Sequence, residues 1–306
     1  MKFMKLLAGF FLLLFSCTGT TTETDTVKPQ KIRENTFTIA ILPEQNVFEQ
    51  KKRYKPLAEY LSDKLGINVK IKLLDSYGSI YDEIKNKTID GAFFGSFNYV
   101  LTQARTDIEP MARPVETGEN SSYRGIIFTR KDSGLTVNVK TWKGKKIALV
   151  HEVTTAGYIF PRWNLRKHGI KNFEQYFGRI IFTGSHDAAI LSVFKGQADI
   201  GAAKDLIFEK LLSENPAIKD EMVVLARSIA VPSNSLCVRG DLDSNIKDSL
   251  KRVLLSMHNT HAGKNALKVM NALRFKETTD SEFDALKEMA KDLDIDIRTY
   301  PFRDKR

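Results

Sequence analysis

Two strand-to-helix turns carry the residues best suited to holding an anion. In the first, Thr154-Thr155-Ala156-Gly157 leaves a short apolar run and opens a helical stretch reaching about His168. A helix start presents N–H groups with no carbonyl before them and the positive end of the backbone dipole. Two hydroxyls beside it complete an anion site, although Thr154 or Thr155 also suits a plain N-cap. In the second turn, Gly184-Ser185-His186-Asp187, Ser185 fits the N-cap and His186 the first helical turn. A histidine there can donate to an oxyanion, and the dipole keeps it neutral until an anion arrives; a surface histidine beside a cap is the plainer alternative. Tyr77 and Tyr123 add phenolic hydroxyls that donate without adding charge, although most tyrosines simply pack. Phe93, Phe94 and Phe97 stand near a strand end, either as a wall of the same cleft or as core.

These groups suit binding better than catalysis. His151, His168, His186, His258 and His261 show no HExxH-like spacing, and neither a GxSxG elbow nor a Walker loop is present. His258 and His261 share a helix face, but no carboxylate or cysteine stands near them at ligand spacing. The expectation is a non-enzyme without metal or cofactor.

The elements that position these turns alternate. Phe37–Leu42, Val69–Leu74, Ala92–Phe94, Lys146–Val150, Arg179–Thr183 and Ile200–Ala203 are short, apolar and partly β-branched. Amphipathic stretches separate them, such as Tyr54–Leu65 with Leu57, Leu61 and Leu65 at four-residue steps. That alternation predicts parallel sheet with crossover helices. The pattern also repeats. Lys64-Leu65-Gly66-Ile67 and Lys167-His168-Gly169-Ile170 close corresponding helices, and Tyr77 and Asp90 stand as far apart as His186 and Asp199. Two units of like topology, near 36–125 and 140–225, would face each other across a cleft at the carboxyl ends of their strands. Tyr77 and His186 fall at equivalent places and would look into that cleft from opposite sides.

The N-terminal residues read as export signals. Lys2 and Lys5 precede the apolar run Leu6–Phe15, too short to span a bilayer and of signal-peptide length. Leu14-Phe15-Ser16-Cys17 resembles a bacterial lipobox, which implies lipidation of Cys17; an ordinary signal peptide cleaved elsewhere is the alternative. Thr18–Asn35 is polar and reads as a flexible tether. Loss of Lys2 and Lys5 lowers the formal net charge from +10 to +8. That charge fits a lysine-rich solvated surface; no basic stripe interleaved with aromatics points to nucleic acid. The only other cysteine is Cys237, so with Cys17 lipidated no disulfide framework exists.

In this order, Asp75-Ser76-Tyr77, Asp90-Gly91-Ala92-Phe93-Phe94-Gly95, Ser122-Tyr123, Thr154-Thr155-Ala156-Gly157, Thr183-Gly184-Ser185-His186-Asp187-Ala188-Ala189 and Val231-Pro232 resemble the phosphate/phosphite/phosphonate-binding proteins of ABC importers. The resemblance runs from 37 to about 260 and is most specific over Thr183–Ala189. It implies an α/β, type II periplasmic-binding fold with two lobes and a two-strand hinge near Gly125–Arg130 and Ser228–Val238. Lobe 1 would hold 36–127 and 228–306, and lobe 2 would hold 128–227, after a leader over 1–17 and a tether over 18–35. It further implies an oxyanion held by Tyr77 and Tyr123 from one side and by Thr154, Thr155, Ala156 and His186 from the other. The family usually has a serine where Ala156 stands, so one side-chain hydroxyl is missing. The ligand's tail would meet Phe94, Ser96, Lys204, Asp205, Leu206 and Asn234. Relatives that bind aminoalkyl phosphonates carry acids where Leu206 and Asn234 stand, and a buried ammonium without a carboxylate is costly. The expected ligand is therefore phosphate, phosphite or a small phosphonate without an amine. The expected partners are an ABC permease and, through Cys17, a lipid bilayer outside the cytoplasm; the expected state is monomeric. A ligand-sensing module for a membrane receptor or kinase would have the same cleft, and a secreted phosphoester hydrolase would need a nucleophile or metal set that is not seen.

Overall fold

The computed structural model describes residues 36–116 and 118–302. The expected leader, lipidation at Cys17 and tether lie outside the described residues. The chain first alternates β1 (Thr36–Ile41), α1 (Val47–Leu65), β2 (Asn68–Leu73), α2 (Ile80–Lys85), β3 (Gly91–Phe94), α3 (Ser96–Gln103) and β4 (Ile108–Glu116). Then β5 (Ser122–Arg130) opens a second lobe, continued by β6 (Lys146–Leu149), α4 (Phe160–Lys167), α5 (Phe173–Tyr176), β7 (Arg179–Phe182), α6 (His186–Phe194), β8 (Ile200–Lys204), α7 (Asp205–Glu214), α8 (Pro216–Glu221) and β9 (Met222–Pro232). The return runs through β10 (Ser235–Arg239), α9 (Ser244–Ser256), α10 (His261–Val269), β11 (Ala272–Glu277) and α11 (Asp284–Asp292). No helix among the described residues is long and apolar enough to cross a membrane.

The strands form two sheets, ordered β11-β4-β10-β3-β1-β2 and β7-β6-β8-β5-β9. Within them β1 pairs in parallel with β2 and β3, and β6 pairs in parallel with β7 and β8. Each trio is extended by an antiparallel strand, β10 beside β3 and β5 beside β8. The repeat in the sequence is thus a repeat of topology. In the first sheet both faces are buried, so alternate residues feed two different cores. Phe37, Ile39, Ile41, Phe93, Leu236 and Val238 face α1, α9 and α10, while Ala40, Ala92, Phe94 and Cys237 face the core that continues into the second lobe.

The chain changes sheets between Glu116 and Ser122 and again between Pro232 and Ser235, not at the 127/128 and 227/228 divisions expected. The reason lies in the register. Gly125–Thr129 of β5 pair with β8, but Ser122, Tyr123 and Arg124 pair only with Pro232, Val231 and Ala230 of β9. That end of β5 and β9 is a two-stranded ribbon running out of the second sheet towards the first. Side chains from both lobes hold it. Ser96 Oγ donates to the Pro232 carbonyl at 2.7 Å, and Gly125 N–H donates to Ser228 Oγ at 2.8 Å.

Arg113 anchors the approach to this ribbon. Its guanidinium is almost wholly buried, and it donates to the Ser121 carbonyl (2.9 Å), Thr278 Oγ1 (3.1 Å) and Glu282 Oε2 (2.7 Å). The bond to Arg113 holds the Glu282 carboxyl down at about 2, against the opposing effect of burial. The pair therefore stabilises at neutral pH, and that share is lost as pH falls from 4.5 through about 2. Removing the carboxylate leaves a buried guanidinium without its counter-charge. Glu282→Ala is expected to cost about 3 kcal/mol, read as a lower urea midpoint at unchanged slope.

Candidate functional site

The carboxyl ends of the parallel strands converge on a small inner cavity. From the first lobe come Glu44 after β1, Tyr77 after β2, and Gly95 and Asn98 after β3; the ribbon adds Tyr123. From the second come Val153, Thr154, Thr155 and Ala156 after β6, His186 after β7 and Lys204 at the end of β8.

The Thr154–Gly157 turn departs from an ordinary helix start. Thr155–Ile159 form one π-helical turn before α4, with Ile159 N–H donating to the Thr154 carbonyl at 3.1 Å. Pro161 explains the wider turn. It has no N–H to return to Gly157, and its ring would crowd that carbonyl in a regular helix. The Gly157 carbonyl accepts from Val150 N–H at 3.2 Å instead. A Cβ on Gly157 would lie 2.5 Å from Val150 Cβ and 2.7 Å from Thr154 Oγ1, so only glycine fits between helix and strand. Gly125 of β5 gives the same clearance beneath Phe160 and Ala156. The helix start is thereby pressed against the sheet, with its first N–H groups at the cavity end.

Donors and acceptors there are mostly neutral. Thr154 Oγ1 donates to the His151 carbonyl at 2.7 Å, which commits its proton locally. Thr155 Oγ1 accepts from Phe97 N–H at 3.1 Å and keeps its own proton for another acceptor. His186 is wholly buried. Ser185 caps its helix, and Lys204 N–H donates to His186 Nδ1 at 3.2 Å. In a neutral ring that leaves the proton on Nε2, a donor. Burial first, then the neighbouring Lys204 charge, pushes the imidazole down to about 3, with Glu44 opposing. Tyr77 stands edge-on to His186, ring centroids 6.3 Å apart. Its buried hydroxyl and the Asn98 Oδ1 have no hydrogen-bond partner. Burial, then the Glu44 charge, pushes the Tyr77 phenol well up, so it remains a neutral donor.

Two charged groups close the cavity's outer side. Lys204 Nζ donates to the Glu44 carboxylate and to Asn234 Oδ1 (2.7 Å), and lies 4.5 Å from the centre of the Tyr123 ring. Burial alone would raise the Glu44 carboxyl, but Lys204, with smaller help from His186 and Arg53, holds it below its ordinary value. Beyond this pair lies an outer basin of ≈ 660 Å³, open to solvent, whose wall includes Leu206, Ser233 and Asn234. Glu44 comes from one lobe and Lys204 from the other. His186 N–H to the Glu44 carbonyl (3.0 Å), Asn46 N–H to Asp187 Oδ2 (3.1 Å) and Phe97 N–H to Thr155 Oγ1 also cross between lobes. The lobes are closed on each other.

The structure thus brings Tyr77, Tyr123, Thr154, Thr155, Ala156, His186 and Lys204 to one cavity, and Leu206 and Asn234 to the next. Phe94 and Ser96 line neither. The Phe94 side chain is core, and the Ser96 hydroxyl is bonded to the ribbon. Asp205 also turns away, accepting from Arg124 N–H (3.0 Å) and Leu206 N–H (2.8 Å). Sequence reasoning did not single out Glu44 or Asn98. Glu44 stands at a strand end with no motif around it; a lone acid at such an end, beside an anion-type site, was the available signal.

A model of the family described as ABC transporter, phosphonate, periplasmic substrate-binding protein matches residues 39–283. The phosphate-import protein PhnD of Mycolicibacterium smegmatis is 25% identical over 252 residues, 78% of this chain and 77% of its own. The probable ABC transporter phosphite binding protein PhnD1 of Prochlorococcus marinus is 23% identical over 266 residues, 83% of this chain and 89% of its own. The structure of PhnD1 from Prochlorococcus marinus in complex with methylphosphonate is similar with a TM-score of 0.77 at 22% identity, covering 86% of this chain and 99% of that one.

The depressed imidazole has a consequence for stability. Unfolded, His186 takes a proton near pH 6.5; folded, near 3. Between those values the unfolded chain holds the extra proton, so acid favours unfolding across that window. His186→Gln keeps a donor and removes the titration. Its melting temperature is expected to fall less than that of the wild type between pH 6.5 and 4; parallel curves would show that the ring does not titrate this way.

Proposed function

The chain belongs to the family of ABC-transporter periplasmic phosphonate substrate-binding proteins, with their two-lobed type II α/β fold, and from that premise we propose that its inner cavity captures a compact phosphorus oxyanion. The ligand class is phosphate, phosphite or a small phosphonate without an amine. One observation carries the reading. A small cavity at two helix starts offers neutral donors, Tyr77 Oη, His186 Nε2, Thr155 Oγ1 and the first N–H groups of the Thr155 helix, with the Tyr77 hydroxyl unpartnered. Such donors replace the water around an anion while adding no full charge.

Tyr77 and Asn98 belong to one lobe, His186 and the Thr155 helix to the other. Closure therefore adds contacts that the open form lacks, and the ligand favours the closed state by that difference. Lys204 argues against a tail ending in an ammonium. Its own ammonium closes the way out, and Leu206 and the Asn234 amide beyond it carry no negative charge. The closed form would hand its ligand to a membrane permease. Lipidation at Cys17 would hold the protein at the outer side of a membrane.

Calorimetry with phosphate, phosphite, methylphosphonate and aminoethylphosphonate tests the ligand class. The first three are expected to bind and the last to bind least. His186→Ala is expected to weaken binding by about 1.5–3 kcal/mol, tenfold to somewhat above a hundredfold. Absence of heat with every one of them would overturn the reading. Cys17→Ser is expected to move the protein from the membrane fraction to the soluble fraction, and continued anchoring would exclude the lipid.

A further inference from the structure

Among the groups facing the inner cavity, Glu44 is the one that can only accept. The other polar side chains there are hydroxyls, an amide, an imidazole and the ammonium of Lys204. An ionised carboxylate has two oxygens and about four lone-pair positions. Lys204 Nζ engages one of those oxygens. Glu44 is also fixed in place from behind, because its backbone carbonyl accepts from His186 N–H at 3.0 Å. Its side chain is largely shielded from water and its charge is felt by both Tyr77 and His186, the groups that would grip a guest.

We propose that Glu44 is a specificity residue that admits only oxyanions carrying a proton, accepting the guest's P–OH hydrogen bond and rejecting sulfate. This deepens the oxyanion reading and rests on it. A guest oxygen set against Glu44 either carries a hydrogen, which the carboxylate accepts, or is bare, in which case two negative oxygens meet in a shielded site. Phosphate keeps a proton throughout the neutral range, and phosphite and alkylphosphonates keep one below their second ionisation. Sulfate has the same tetrahedral shape and has none. Like charges brought together in this way act mainly against the wrong guest. Lys204 serves the arrangement by giving Glu44 a counter-charge, so that the carboxylate does not repel every anion that approaches. The charged and titratable groups around Glu44 are Lys204, His186, Arg53, Tyr54 and Tyr77.

Two measurements test this on the full chain. The first compares phosphate and sulfate binding by calorimetry in the wild type, Glu44→Gln and the double variant Glu44→Gln with Lys204→Met, which avoids leaving a buried ammonium unpaired. A glutamine amide can donate, so both variants are expected to gain sulfate binding, with the phosphate-to-sulfate preference falling by more than about tenfold. Variants that bind phosphate but reject sulfate as the wild type does would overturn the assignment. Equal binding of the two anions by the wild type would overturn it as well while leaving the oxyanion reading intact. Wild type that binds neither phosphate nor methylphosphonate removes both readings together.

The second measurement needs no substitution. Above its second ionisation methylphosphonate has no proton left, whereas phosphate still keeps one. Raising the pH through that range is expected to weaken methylphosphonate by about tenfold per pH unit and to leave phosphate affinity nearly unchanged. If both guests hold their affinity, no proton is being accepted by Glu44.

Discussion

The ion pair between Glu44 and Lys204 sits where the two lobes meet, and much of the cleft is organised around it. Lys204 is buried and Glu44 is mostly shielded, so each gives up much of its hydration when the lobes close. Such a pair brings little net stability, because the loss of water offsets the attraction between the charges. Its effect is on geometry. Lys204 uses Glu44, Asn234 and the face of Tyr123 together, a set drawn from the first lobe, the returning chain and the ribbon. That set exists only in one relative placement of the lobes. Closure is thereby specified in direction but not strongly driven, which leaves a guest's own contacts to decide the equilibrium.

The donor array inside depends on backbone geometry more than on side-chain identity. The π turn at Thr155–Ile159, the redirected Gly157 carbonyl and the clearances at Gly157 and Gly125 bring a helix start close against β5 and β6. Ala156 fits this logic. It contributes no hydroxyl, yet it lies at the cavity wall, where its N–H is the chemically useful part. His186 is arranged in a similar spirit. A backbone N–H decides which ring nitrogen holds the proton, and burial decides that only one proton is held. Neutral donors in a shielded site interact strongly with an anion, without the long-range attraction that would also collect any other anion at the surface.

Much of this was legible in the sequence because it is carried by periodicity and by turns. The alternation of short strands with amphipathic helices gave the two-lobed class, and the equal spacing of Tyr77–Asp90 and His186–Asp199 reflects the matched β2-β1-β3 and β7-β6-β8 order. Tyr77 and His186, far apart in the chain, do share a cavity. The run Gly91–Phe97 shows what was not legible. Every residue of β3 is buried, since both faces of that strand are covered, so no alternation distinguishes the side towards the cleft from the side towards the core. Phe94 therefore read as a cleft residue when it is core. Ser96 and Asp205 were misplaced for a related reason. Each is a short polar group beside the cleft, and the partner that claims it, the Pro232 carbonyl or the Arg124 N–H, comes from a distant segment.

The ribbon of Ser122–Arg124 against Ala230–Pro232 links these features mechanically. It is the stretch of β5 and β9 without a third strand, so it can twist at less cost than the paired sheet on either side. Its ends are fixed by side chains instead: Ser96 on Pro232, and Arg113 on the Ser121 carbonyl, which also accepts from Ser233 N–H. Tyr123 projects from the middle of this ribbon into the cavity and carries Lys204 on its ring. Twisting of the ribbon must therefore move a cavity residue and the inter-lobe ion pair together. Binding inside and the angle between the lobes are coupled through that one residue pair, with no need for a longer path of contacts.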